Sequence, residues 1–544
     1  MSNTTTRAEF DAERQAHAVI PVRREIFADA DTPVSIYRKV AGSRIGTFLL
    51  ESAEQGGVWT RFSFVGAGSF GVLGERDGRA QWTPSAETIG APLSEDRLLP
   101  GGVSSLQPVE ALRAAYERWK SPQIPGLPPL ASGFVGYLGW ETVRQFERLD
   151  APPAVSTGLP TQGLSFVSEL VVIDHREGSV ILIANVLNDR VLNAGTLAGD
   201  AAGQVDGDAG QLDADAQWGD ADAQWADAQR RIDALQAALS APESSPLGVL
   251  DRSALPDPTR LTTTPEFMAT VEAAKQYIVD GDIFQVVPSQ RFDQECTADP
   301  LDVYRVLRHL NPSPFLYLVQ LEDNEGVPFS VVGSSPEALV TVQEHGHVRT
   351  HPIAGSRPRG ATIEQDKEFA KDLLADEKER AEHLMLVDLA RNDLARVCEP
   401  GSVEVTDFMM IQRFSHIMHI VSSVEGQVRA GQNPIDVFKA TFPAGTLSGA
   451  PKPRALEIID ELEPVERGVY GGVVGYFGLG GAADLAIAIR TATIRDGVAM
   501  VQAGAGIVAD SVPETEDAEC QSKAAAPLRA IAIANSLSRT DPHA

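Results

Sequence analysis

Four glutamates have the type and spacing for metal chemistry. Glu379 and Glu382 lie three apart in DEKERAEHLMLVDLARNDLARV (376–397), and Glu516 and Glu519 repeat that spacing in PETEDAECQSKA (513–524), with Lys523 following on roughly the same face. Residues three apart on a helix stand side by side. Two such helices can enclose a hard divalent cation such as Mg2+, which takes oxygen ligands. Acid pairs on helices are more often solvated faces. Here Glu382 directly precedes the apolar run HLMLV, and the second pair follows the glycine-rich strand end QAGAGIVADS, where loops carry function.

Other residues fit an anionic substrate. HPIAGSRPRG (351–360) is a strand-ending turn with two Arg, and FPAGTLSGAPKPRA (442–455) offers amides and the hydroxyls of Thr446 and Ser448 ahead of a helix. Such a turn suits a carboxylate or phosphate, but GxxxxGK[ST] is missing, so it is no P-loop. QAGAGIVADSVP (502–513) has glycines after a strand, yet Pro513 intervenes where a Rossmann helix should open. A glycine turn through which a ligand approaches backbone N–H groups is the better reading. Arg490 reads as a charged residue inside the apolar strand LAIAIRTATI, which calls for an anionic partner. His419, in HIMHIVSSV, could be a core histidine or a catalyst.

The elements that must position these groups form two halves. Residues 1–32 are a polar start. From 33 to 195, short apolar runs (GTFLLES, RFSFVGAG, GFVGYLGW, FVSELVVIDH, SVILIANV) alternate with Gly and Pro and predict strands. Residues 196–262 hold an acidic Ala/Gly/Asp insertion with a local duplication, a helix ending near Leu239, and a proline-containing linker. Residues 263–535 predict a helix, a broken series of strands and the two acid-bearing helices; 536–544 is a tail. The expected class is α+β: a large mixed or antiparallel β-sheet sandwich with surrounding helices, joining an N-terminal and a C-terminal part.

The 544 residues exceed one ordinary core. A formal charge of −29 argues against nucleic acid, and means that an anionic substrate needs a local cation, from a metal or from Arg and Lys. No apolar run reaches membrane length and the N-terminus lacks the apolar core of a signal peptide. Cys296, Cys398 and Cys520 lie far apart, in neither a disulfide nor a zinc pattern, which fits a reducing cytoplasm.

Ten motifs in order resemble the chorismate-utilising enzymes, and within them the anthranilate synthase component I proteins: LLES (49–52), GDIFQVV (281–287), NPSPF (311–315), GSSPE (333–337), PIAGSRPRG, DEKERAEHLMLVDLARND, MHIVSSVEG, FPAGTLSGAPK, VYGGVVGYF and QAGAGIVADSVPE. The resemblance covers about 33–195 and 264–535. It implies that Glu379, Glu382, Glu516 and Glu519 hold Mg2+ and through it the chorismate carboxylate, with Glu379 standing behind the other three. Tyr470, Arg490, Gly504, Gly506 and Lys523 match residues that hold the substrate's carboxylate and enolpyruvyl groups, and Gly355, Ser356 and Thr446 line the same pocket. Glu337 matches the acid that protonates the departing 4-hydroxyl, and His419 the histidine tied to loss of pyruvate.

Two neutral residues separate this chain from relatives. Aminodeoxychorismate synthase relatives carry a Lys nucleophile where Ala354 stands, and isochorismate and salicylate synthase relatives a water-activating Lys where Gln285 stands. The resemblance therefore favours ammonia as nucleophile and anthranilate and pyruvate as products. Ammonia comes from a glutamine amidotransferase, and no cysteine here sits in a glycine turn, so the expectation is a separate subunit and a hetero-oligomer. LLES and NPSPF resemble the family's tryptophan feedback site, with Leu50, Glu51, Ser52, Asn311, Pro312, Ser313, Phe315 and Leu316 as its walls and Arg61 as a loosely aligned basic residue. Alternative readings are aminodeoxychorismate synthase component I and a catalytically inactive tryptophan-binding subunit. Pro288 is expected to end or bulge its strand, and Pro527 to kink the last helix.

Overall fold

The computed structural model describes residues 4–28, 30–52, 61–85, 92–150, 152–189, 191–192, 220–242, 248–413 and 417–539. Most of the acidic insertion and the end of the tail lie outside these. The fold is α+β, and among the described residues twenty strands join one antiparallel network.

Strands from the two halves interleave. Phe48–Glu51 lies between Phe62–Arg76 and Phe315–Glu322, Leu49 facing Val65 on one side and Leu318 on the other. The ladder continues from Phe315–Glu322 to Pro328–Ser335, Thr491–Arg495, Val498–Gly504 and Ser289–Glu295. A second run goes from Gln162–Asp174 through Gly133–Leu138, Val473–Gly478, Ala483–Ile487, Ala338–Val342 and His347–Thr350 to Ile417–Gln427. Apolar side chains from both halves fill common cores: Trp119 and Phe166 share one with Phe438 and Leu456, and Phe48 and Val135 share another with Tyr317 and Tyr476. Burial of this kind supplies the main driving force for folding.

Two helices carry the acid pairs. Glu377–Ala395 starts at Asp376, whose side chain accepts the amides of Lys378 and Glu379, and buries His383, Leu386, Val387 and Leu394 along one stripe. Pro513–Asn535 opens with proline at its first position and buries Cys520, Ala524, Leu528 and Ile531. Its Asp517 is pinned by Arg260, by Gln290 at 2.9 Å and by Thr264 at 3.1 Å, which fixes the helix's rotation. The helix carries on through Pro527. The strand motif around Pro288 does break, into Gln285–Val286 and Ser289–Glu295.

One expectation is corrected. LAIAIRTATI is not a single strand with Arg490 inside it. Ala483–Ile487 and Thr491–Arg495 are separate strands, and Arg490 stands between them with φ +53°. The apolar run reads as continuous because residue types do not mark a left-handed turn at a non-glycine position.

Candidate functional site

The strand Pro328–Ser335 ends in a turn that presents Glu337. Ser335 Oγ accepts the Glu337 amide at 3.3 Å, and the Glu337 carbonyl accepts the Ile487 amide at 3.0 Å. Thr446, in the short turn Gly445–Leu447, donates its hydroxyl to Glu337 Oε1 at 3.0 Å. A side chain at Gly445 would put its Cβ 2.2 Å from Leu389 Cδ2, so this turn lies directly on the helix bearing the first acid pair. Burial pushes the Glu337 carboxyl up to about 7, against the Thr446 hydrogen bond and the charges of Lys523 and Arg490. A carboxyl with a pKa this high keeps a substantial protonated fraction at neutrality and can act as an acid.

His419 is aimed by a bulge. Ala354 pairs with Ile420 and Ser356 with His419, leaving Gly355 as the extra residue. The Gly355 carbonyl accepts His419 Nδ1 at 2.9 Å, so the neutral ring carries its proton on Nδ1 and its lone pair on Nε2. Burial lowers the imidazole pKa, and Arg490 lowers it further. Gly355 has φ +67°, and a Cβ there would come within 2.8 Å of Glu379 Oε2. Glycine at this point thus aims the histidine and makes room for the first acid.

The cationic side of the cleft joins the strand Val498–Gly504 to the helix Pro513–Asn535. Lys523 Nζ donates to the Gly504 carbonyl at 2.9 Å and pairs with Glu519 at 2.6 Å. A Cβ on Gly504 would lie 2.9 Å from the Tyr470 hydroxyl, and one on Gly506 would lie 2.7 Å from Gln285 Nε2. Gln285 donates that amide to Glu382 Oε1 at 3.0 Å. Burial raises the Tyr470 pKa and lowers that of Arg490, whose charge is felt by Tyr470, Glu519 and Glu337. Glu337, Thr446, His419, Gly355, Ser356, Tyr470, Arg490, Gly504, Gly506, Lys523 and Gln285, spread across the sequence, are thus linked by contacts and mutual fields.

The two acid pairs belong to the same cleft. Burial, Glu382 and Asp376 raise the Glu379 pKa, against Arg357 at 3.5 Å. Burial raises that of Glu516 too, with Glu519 adding to it and Ser511 opposing. Lys378, paired with Asp510 at 3.1 Å, feels both Glu382 and Glu516. Among the described residues no three His, Cys, Asp or Glu side chains converge as a group able to hold a metal ion. Every acid of the two pairs is an oxygen donor of the kind a hard cation takes, and each pair contains an acid whose ionisation is penalised by its neighbour.

A second cavity, of about 520 Å3, lies at the junction of the halves. Leu50, Glu51, Ser52, Phe315 and Leu316, which the resemblance groups together, all line it, and Arg61 does too, held by Asp174 at 2.7 Å. Asn311, Pro312 and Ser313 are not on its wall; Asn311 instead bonds the Ser334 carbonyl at 3.3 Å behind it. Glu51 takes the Tyr304 hydroxyl and Arg308, the latter at 3.0 Å. The Ser52 hydroxyl is buried without a hydrogen-bond partner among the described residues. Tyr476 and Asp484 also line the cavity and escaped the sequence reading; they are cross-strand neighbours brought there by a non-local ladder.

Residues 73–529 match the chorismate binding enzyme family, and the chain belongs to it. Within that family it is similar to anthranilate synthase component 1 of Arthrobacter globiformis, at 50% identity over 97% of this chain and 93% of the relative. Anthranilate synthase component 1 of Mycolicibacterium smegmatis is 47% identical over 99% and 95%. The crystal structure of anthranilate synthase component I from Streptococcus pneumoniae superposes with a TM-score of 0.70 at 33% identity, over 92% of this chain and 98% of that one. The menaquinone-specific isochorismate synthase of Escherichia coli shares the fold, with a TM-score of 0.64 at 18% identity over 95% of each chain. No helix among the described residues is long and apolar enough to cross a membrane.

Proposed function

We propose that this chain is a chorismate-utilising synthase that converts chorismate and ammonia to anthranilate and pyruvate through aminodeoxyisochorismate, the first step of tryptophan biosynthesis. The observation that carries the reading is Gln285. Its amide is spent on Glu382 beside Gly506, in the same cleft as a carboxyl held near neutrality at Glu337. A neutral amide cannot deprotonate water, and Ala354 offers no amine for covalent attack. Ammonia, already a nucleophile, needs neither.

Arg490, Tyr470 and Lys523 would bind and orient the anionic ring substituents. Glu337, protonated and held by Thr446, would give its proton to the departing 4-hydroxyl as ammonia adds to the ring; hydroxide is too poor a leaving group to depart alone. The neutral His419, with its lone pair on Nε2, would serve the second step, in which the ring loses a proton and pyruvate departs to leave an aromatic product. Glu379, Glu382, Glu516 and Glu519 are the residues that would hold Mg2+. Bound there, the ion would neutralise the substrate carboxylate and fix its orientation, which a chain with a formal charge of −29 needs.

The similarity to component 1 proteins supports a separate glutamine amidotransferase subunit as the ammonia source and a hetero-oligomer as the working form. Free ammonium should substitute for that subunit. The cavity between the halves is the candidate tryptophan feedback site. Three buried, unbridged cysteines fit work in the cytoplasm. The test is direct: purified chain, chorismate, Mg2+ and an ammonium salt should generate anthranilate fluorescence. Folded protein that yields none overturns the reading, and isochorismate or aminodeoxychorismate as product transfers the chain to a relative's chemistry.

A further inference from the structure

A buried ion pair behind the cleft belongs to none of the groups above. Arg467 and Glu463 meet at 2.6 Å, with side chains only 1% and 3% exposed. An ion pair this deep is a weak source of stability, because desolvation offsets the attraction. Its connections suggest another role. Arg467 Nη2 donates to the Val287 carbonyl at 2.6 Å and Nη1 to the Leu447 carbonyl at 2.7 Å. Val287 lies two residues after Gln285, and Leu447 directly follows Thr446. Glu463 accepts the amide and hydroxyl of Ser289 at 2.7 and 2.8 Å, across the break at Pro288.

The guanidinium also lies against two aromatic rings. Its centre lies 4.1 Å from the Trp140 ring and 5.6 Å from the Tyr470 ring. The backbone joins in: the Tyr470 amide donates to the Arg467 carbonyl at 3.2 Å, and the Arg467 amide donates to the Glu141 carboxylate at 3.0 Å. One planar fork therefore reaches two loops at once and lies beside the ring of a third. Arginine is suited to this and lysine is not, since an ammonium has neither the fork nor the plane.

We propose that the Glu463–Arg467 pair, backed by Trp140, is a positioning device that sets Tyr470, Thr446 and Gln285 in register with one another. The inference rests on the reading that this cleft turns over chorismate. Neither residue touches a reacting atom; both act through the three that line the cleft.

The experiment compares wild type, Arg467→Lys, Tyr470→Phe and the double variant in ammonia-dependent anthranilate formation. Kcat and KM are resolved separately, and folding is checked by circular dichroism and thermal melting. Arg467→Lys should remain folded and lose about 10- to 100-fold in kcat, the scale of a small misplacement of reacting groups. In the Tyr470→Phe background the same change should cost less than about a third of that factor, because the shared partner is already altered. Strictly multiplicative losses, or a lowered melting temperature with unchanged kcat, would mean a purely structural pair and overturn the proposal. If Arg467→Lys does not fold, Ser289→Ala removes one anchor of Glu463 and leaves the pair; it should lower kcat about 2- to 5-fold, the scale of a small shift in a pair that keeps its other contacts, and an unchanged kcat overturns the proposal. Wild type that makes no anthranilate would instead sink the functional reading beneath it.

Discussion

The Thr446 hydroxyl donates to Glu337 Oε1 at 3.0 Å. That bond favours the ionised carboxyl, while burial favours the neutral one and prevails, holding the pKa at about 7. As an acid, Glu337 is active only when protonated, so kcat/KM at fixed free ammonia should fall as pH rises through about 7. Thr446→Val removes a hydrogen bond that stabilises the anion. The carboxyl pKa then rises and the alkaline limb moves to higher pH. A pH–rate profile checks this; a limb that stays or moves down contradicts it.

The same carboxyl predicts a stability effect. Its folded pKa lies above the ordinary value near 4.5, so the folded state binds more protons between about 4.5 and 7 and loses stability as pH rises across that window. Glu337→Gln removes the group that must ionise in a buried site. It should abolish turnover yet gain about 1–3 kcal/mol relative to wild type at pH 8, with little gain at pH 4. Denaturant unfolding at the two pH values measures the difference.

The helical spacing of Glu379 and Glu382, and of Glu516 and Glu519, was legible because side chains three apart must share a helix face. Glu51 and Glu337 were singled out only through the resemblance of LLES and GSSPE, because a Glu at the end of an apolar run carries no signal of its own. Arg490 was misread, since nothing in LAIAIRTATI marks the left-handed residue that breaks it. Tyr476 and Asp484 were invisible because their place at the cavity depends on which distant strands pair. The Glu463–Arg467 pair lay in the stretch ELEPVERG, just outside the motif VYGGVVGYF, where a Glu and an Arg four apart usually mean a solvated helix face. Only the structure shows that both are buried.

Gly355 offers a test of the link between the histidine and the acids. A methyl group there meets Glu379 Oε2 at 2.8 Å, on a backbone with φ +67°. Gly355→Ala should cost about 1–3 kcal/mol in stability from the strained backbone, and should lower kcat by shifting the carbonyl that orients His419. Unfolding curves and kinetics together check it; a variant with wild-type values for both would show that the bulge tolerates a side chain.

The acid pairs predict a defined metal response. Chelation should stop turnover without unfolding the chain, and added Mg2+ should restore it. Glu382→Gln should raise the Mg2+ concentration for half-maximal rate at least about 10-fold, the scale on which perturbed metal sites lose affinity. It should also relieve the repulsion that raises the Glu379 pKa. Unchanged Mg2+ dependence would remove Glu382 from the site.

Ser52 provides the sharpest test of the second cavity. Its hydroxyl is buried with no partner among the described residues, and an unsatisfied buried polar group is costly unless a ligand completes it. It sits beside Glu51, whose carboxylate is already fixed by Tyr304 and Arg308. A preformed acceptor next to an unmet hydroxyl suits the ammonium and carboxylate of an amino acid, and the apolar wall of Leu50, Phe315 and Leu316 suits an aromatic side chain. Tryptophan at about 100 times its Kd should therefore stabilise the chain by about 2.7 kcal/mol, seen as a raised Tm. Ser52→Phe fills the cavity with a ring and removes the hydroxyl. Inhibition by tryptophan and the Tm shift should both vanish while anthranilate is still formed. If inhibition persists in Ser52→Phe, tryptophan acts elsewhere, and the cavity between the halves serves another ligand.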